Sequence, residues 1–128
     1  SSTAPFITYQ GAPATTDDGT TAISAANILT GIVQCTPTSG RSKATDTASN
    51  LVSGLSLTAD GDSFDFSIIN LTSSAGVDIT ITGGTGVTLV GMMKVFAQDD
   101  VADAVSVGVG RFRIRRTGAT AVTMYRIG

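Results

Sequence analysis

The chain has 128 residues, which is the size of one domain with room for a hydrophobic core. Its formal net charge is −2, only 14% of its residues are charged, and 41% are hydrophobic, which excludes a disordered chain. It has no His and no Glu and only one Cys, which excludes catalytic triads, His-based metal sites and an internal disulfide, so we expect neither an enzyme nor a cofactor.

Residues 1–26 are predicted to form an extended N-terminal arm, because turn and breaker residues interrupt any apolar periodicity there. Phe6, Ile7 and Tyr9 are the exception in this polar segment. Three large residues in a polar tail predict docking, either onto the chain's own domain or onto a neighbouring molecule, and a frayed terminus is the alternative. We therefore take these three as candidate interface residues.

The next segments predict a strand and then the one helix of the chain. Residues 27–36 are rich in β-branched and apolar residues and end at Pro37, and Gly31 indicates a bulge or a close backbone approach. Residues 44–55 place Ala, Leu and Val on one helical face, with Thr45 or Asp46 as the N-cap. Such a short helix must pack on a sheet to be stable.

The remaining residues predict an antiparallel sheet. Phe64, Phe66 and Ile68 alternate with polar residues, and Thr117-Gly118 is the expected turn of the last hairpin. Many short strands with turn signals between them favour a mainly β fold, an antiparallel β-sandwich of jelly-roll type over residues 27–128. The predicted strands cover 62–71, 76–82, 86–90, 92–97, 104–116 and 119–127.

A row of arginines is the most distinctive charge pattern. Period-two spacing places Arg111, Arg113 and Arg115 on one face of one strand, about 6–7 Å apart. Three interpretations stay open: a solvated face, a polyanion surface, or ion pairs with Asp of the same or an adjacent subunit, the candidates being Asp62, Asp65 and Asp78. Arg126 is expected near this row across the hairpin. Because base-stacking aromatics do not interleave with the row, we expect no nucleic-acid partner.

Three other motifs have ordinary explanations. Residues 83–86 (Gly-Gly-Thr-Gly) lack the Lys and the following helix of a phosphate loop, so they predict a tight turn. The Asp clusters near residues 60–65 and 99–103 lack the spacing of a calcium loop. Asn70-Leu71-Thr72 matches a glycosylation sequon.

No apolar run reaches membrane-spanning length and no signal peptide is visible, so we expect no membrane partner.

Six segments follow one another in a distinctive order, namely residues 28–33, 35–41, 61–70, 84–91, 111–113 and 122–126. Their order resembles a small β-rich module of virion structural proteins of tailed bacteriophages, where it recurs in capsid decoration (cement) and fibre-like proteins. It implies a homotrimer that sits on the capsid surface of the virion, with the major capsid protein as partner. It implies no catalytic residues. Residues 98–104 form a longer segment than the short turn that is usual at this place in the module, and so look like an insertion.

Two other functions remain open at this stage. A trimeric tail-fibre or spike module would bind a host surface glycan or protein through its outer loops. A cellular carbohydrate-binding or adhesion domain would do so without any capsid. Glycan affinity separates both from a decoration protein.

Overall fold

The computed structural model describes residues 7–99 and 108–128. Phe6, one of the candidate interface residues, lies outside these ranges. Most of segment 98–104 lies outside them too, as do residues 104–107 of the strand predicted over 104–116. The elements in chain order are β1 Ala14–Thr15, α1 Ala25–Leu29, β2 Ile32–Cys35, β3 Arg41–Ala44, α2 Ala48–Gly54, β4 Ser63–Asn70, β5 Ile79–Thr82, β6 Val87–Val90, β7 Lys94–Val95, β8 Val109–Gly118 and β9 Ala121–Arg126.

The predicted mainly β class is confirmed, but the sheets are mixed rather than antiparallel. One sheet has the strand order β1-β2-β4-β8-β9-β6, and the other has the order β3-β5-β7. Parallel pairing joins β1 to β2, β2 to β4, β3 to β5 and β6 to β9. The jelly-roll topology expected from the sequence is not confirmed.

A single core lies against one face of the six-stranded sheet. Phe66 and Ile68 of β4 and Phe112 of β8 point into it, and both helices and the three-stranded sheet pack there. The buried side chains contributed by the covering elements include Ile28, Leu51, Ile79, Ile81 and Val95. The alternation of β4 and β8 therefore assigns one face to the core and leaves the other turned outward.

The strand predicted over residues 27–36 is in part a helix. The Ser24 hydroxyl accepts a hydrogen bond from the backbone N–H of Asn27 at 3.1 Å and so caps α1. Ile28 is fully buried on that helix, and Gly31 ends it with a φ of +85°. The strand itself begins at Ile32. Five helical residues are too few to show a helical period in the sequence.

The helix predicted over residues 44–55 begins later than expected, because α2 starts at Ala48. Arg41–Ala44 forms β3, and the Thr47 hydroxyl caps α2 by accepting from the N–H of Asn50 at 3.2 Å. Thr45 is not the cap, because its N–H donates to the Thr82 carbonyl and so extends the β3–β5 pairing. Asp46 instead accepts from the N–H groups of Ala25 and Thr47, which ties the starts of the two helices together.

Much of the predicted arm is part of the folded domain. β1 pairs with β2, and Ile23 is 2% exposed in the core. In contrast, Ile7 is 62% exposed and Tyr9 is 87% exposed. Ile7 and Tyr9 therefore do not dock onto the described part of the chain's own domain, which leaves a neighbouring molecule or a frayed terminus.

The last hairpin turns two residues later than predicted. Gly118 still pairs with Ala121, so Ala119 and Thr120 form the turn, and a register shift lies between Arg116 and Gly118. Thr117 and Gly118 belong to the end of β8. The bulge shifts the register of the two strands by one residue, so the residues of β9 after it face the opposite side from the one that a regular hairpin would give them.

Residues 83–86 form a tight packing point, in agreement with their prediction as a turn. The N–H of Gly84 donates to the Thr45 hydroxyl at 2.9 Å, and the Thr85 carbonyl accepts from the N–H of Ala48 at the start of α2. A side chain at Gly84 would contact the Asp46 carbonyl oxygen at 2.5 Å. Backbone thus fills the space that a phosphate loop would leave for its ligand.

Asn70 of the sequon is fully buried. Its amide nitrogen donates to the carbonyls of Val77 and Val95, and its amide oxygen accepts from the N–H of Thr72. The side chain joins β4 to the second sheet, so the sequon has no accessible acceptor in this fold. Neither described helix is long enough or apolar enough to cross a bilayer.

Candidate interaction site on the open sheet face

The outward side of the six-stranded sheet is the candidate functional surface, and we call it the open face. Among the described residues, the helices and the second sheet all pack on the opposite side. The central strands β4, β8 and β9 present alternate residues here, namely Ser63, Asp65, Ser67, Arg111, Arg113, Arg115, Thr123 and Tyr125. Strand register places Asp65 beside Arg113, and Arg113 beside Tyr125.

Arg113 and Asp65 form an inter-strand ion pair at the centre of the open face. The guanidinium Nε and Nη2 donate to the two carboxylate oxygens at 2.7 and 2.8 Å. The hydrogen bonds from Arg113 lower the pKa of Asp65 below its usual range, and the positive charge of Arg111 contributes. Both side chains remain about half exposed, so the pair aligns the strands more than it stabilises the fold.

The rest of the arginine row lacks such a partner. Within residues 7–99 and 108–128, neither Arg111 nor Arg115 makes a side-chain hydrogen bond or ion pair, and both are exposed. Asp62, predicted as a partner, instead accepts hydrogen bonds from the N–H groups of Thr58 and Ala59. The row therefore carries three guanidinium groups against one carboxylate.

Asp78 and Arg126, the other predicted members of this charge cluster, lie elsewhere. Asp78 accepts from the N–H of Ala97 at 3.3 Å. Arg126 pairs in register with Phe112, which places it on the core side of the sheet, with its guanidinium carbon 5.4 Å from the Phe112 ring centre. Burial lowers the pKa of Arg126, and its Nη1 donates to the carbonyls of Met92 and Lys94.

A shallow cavity of about 260 Å³ lies on the open face beside the ion pair. Its lining includes Asp65, Ser67 and Arg111 from the sheet, Ile127 after β9, and Gln10 and Gly31. Gln10 is held in place because its amide nitrogen donates to the carbonyls of Gly11 and Thr30 at 2.9 and 2.6 Å. No local sequence pattern marks Gln10 or Ile127, since both reach the cavity through long-range pairing.

A second charged cluster attaches the N-terminal segment to β3. Lys43 is 1% exposed, and its ammonium donates to Asp17 at 2.7 Å, which lowers the pKa of that carboxyl. Asp18 accepts from Arg41 at 2.9 Å and from the Thr38 hydroxyl, and these bonds place its pKa well below the usual range. All four charged side chains of this cluster have partners. The cluster therefore attaches the N-terminal segment to β3 and is not a binding site.

We expect Asp17→Asn to lower the thermal unfolding midpoint by several degrees, because it leaves the buried Lys43 ammonium without its counter-charge. Lys43→Met should cost less, and the double variant should be more stable than Asp17→Asn alone. The folded-state pKa of Asp17 lies below its unfolded value, so the deficit should be full above about pH 4 and shrink as the pH falls through the folded pKa. Additive losses in the double variant would contradict this account.

Within the part of the chain that the structure describes, no group of three or more Cys or Asp side chains could hold a metal ion. Comparison with known proteins returned no matching family, no matching curated protein and no matching solved structure.

Proposed function

We propose that this chain is a virion structural protein that decorates and reinforces the capsid of a tailed bacteriophage as a homotrimer, with the major capsid protein as its partner. The observation that carries the proposal is the open face, a broad sheet surface with unpaired arginines and no covering element among the described residues. A mainly β module whose sheet has one face left uncovered by the described residues is suited to lie against a larger surface.

Exposed apolar side chains support an assembly role. Seven large hydrophobic residues of the described ranges are more than 40% exposed: Ile7, Tyr9, Leu29, Leu71, Val90, Met92 and Ile127. Burying such surface against a neighbour yields roughly 25 cal/mol per Å². Ile7 and Tyr9 extend from the domain without contacts that bury them, so we assign them, with Phe6, to docking on an adjacent subunit or on the capsid.

Co-sedimentation with capsid shells assembled without this chain tests the proposal. The chain should pellet with the shells in a saturable way, and native mass spectrometry should give a trimer, either free or after release from the shells. Deletion of residues 1–10 should weaken both properties. Failure to bind shells, together with binding to a panel of surface glycans, would contradict the proposal and favour a fibre or adhesion module.

A further inference from the structure

The strongest unassigned feature of the open face is Arg111 at the edge of the cavity. Its guanidinium is exposed and has no side-chain partner within the described residues. Asp65 lies close enough for the charge of Arg111 to lower its pKa. Asp65 is hydrogen-bonded through both of its oxygens to Arg113, and it makes no direct hydrogen bond with Arg111.

We propose that this cavity receives a carboxylate side chain from an acidic protein surface and so anchors the open face to its partner. An arginine fork binds a carboxylate through two parallel hydrogen bonds, which gives both strength and orientation. The half-buried Ser67 hydroxyl lines the same cavity and offers another donor. Ile127 supplies an apolar wall for the methylene groups of the incoming side chain.

The size of the cavity fits this ligand. At about 260 Å³ it is several times the volume of one water molecule, roughly 30 Å³, and it is open to solvent on the outward face. Gln10 forms part of its wall and is fixed by two backbone hydrogen bonds. An Asp or Glu side chain can therefore enter without displacing any of the residues that the structure describes.

Charge complementarity excludes a symmetric contact with a second copy as the main occupant. A twofold contact through the open face would bring one arginine row against another, and like charges in contact are strongly unfavourable.

Nucleic acid is a poor fit for a different reason. Tyr125 is the only aromatic residue among the outward positions of β4, β8 and β9, and the whole chain carries a net charge of −2.

This inference rests on the proposed function but has a test of its own. A short oligoglutamate peptide and a DNA oligonucleotide of equal charge are titrated separately into the intact protein, with the arginine Nε–H signals followed by NMR. We expect the peptide to shift the Arg111 signal first and to bind at least as tightly as the DNA. Arg111→Gln should weaken peptide binding about tenfold, whereas the matched Arg115→Gln, on the same strand face but outside the cavity lining, should weaken it about twofold.

Equal effects of Arg111→Gln and Arg115→Gln on peptide binding would overturn the proposed site in the cavity. Tighter binding of the DNA oligonucleotide than of the peptide would contradict an acidic protein partner and favour a polyanion instead. Shell binding separates this inference from the proposed function. If the wild type binds shells and Arg111→Glu binds equally well, the cavity is not the anchor although the decoration role stands. If the peptide titration behaves as expected and shells do not bind, the acidic-ligand site stands and the capsid partner is wrong.

Discussion

Replacing Phe112 by alanine should lower the free energy of unfolding by about 3–5 kcal/mol. Phe112 is fully buried at the middle of β8, and its ring centre lies 5.7 Å from that of Phe66. The substitution removes this aromatic contact, removes the ring beneath the Arg126 guanidinium, and leaves a cavity between the sheet and its covering elements. Such a loss is a large fraction of the stability of an ordinary small domain.

Urea unfolding followed by far-UV circular dichroism measures this loss. The matched control is Phe64→Ala, which makes the same chemical change on neighbouring β4 at a position only partly buried against the core. It should cost clearly less. Equal losses at the two positions, or a loss below about 1 kcal/mol at Phe112, would contradict the assignment of the core to this face of the sheet.

Gly84→Ala should be the most damaging single-methyl addition that we consider, with a loss of about 3 kcal/mol. The new Cβ would lie 2.5 Å from the Asp46 carbonyl oxygen and 2.6 Å from that of Thr45. Both atoms belong to the backbone at the start of α2, so neither can move aside as the end of a flexible side chain would. The loop must shift, which would break the Gly84–Thr45 and Thr85–Ala48 hydrogen bonds.

The control for Gly84 is Gly118→Ala in the last hairpin. A Cβ there meets only Ala121 at 3.7 Å, an ordinary contact, so the stability should change by less than about 1 kcal/mol. Thermal and urea unfolding of the two variants give the comparison. Similar stabilities would mean that residues 83–86 are a tolerant surface turn and not a packing point.

Local periodicity made part of this fold predictable. The alternation in β4 and β8 assigned Phe66 and Phe112 to one face and Arg113 to the other, because a strand shows its two faces in any short window of sequence. The class of the fold followed from the same pattern. Parallel pairing did not, since β2 meets β4 across a long stretch of intervening chain and no local pattern specifies that neighbour.

The candidate site was predictable only in part for the same reason. Sequence spacing identified the arginine row but left three Asp as partners, and only the strand register brings Asp65 opposite Arg113. Arg126 was placed wrongly because the bulge between Arg116 and Gly118 shifts the register by one residue, which pairs Arg126 with Phe112 and turns it to the core side of the sheet. Gln10 enters the cavity through a contact with Thr30, which is distant in sequence.

The proposed decoration protein would contact its partner through the open face of the six-stranded sheet. A cryo-electron-microscopy reconstruction of shells saturated with the chain tests this most directly. We predict threefold assemblies on the outer capsid surface, with β4 and β8 turned toward the shell and Arg111 beside an acidic residue of the capsid protein. Empty shells, or bound chains that touch the shell through the helices and leave the arginine row facing solvent, would contradict it.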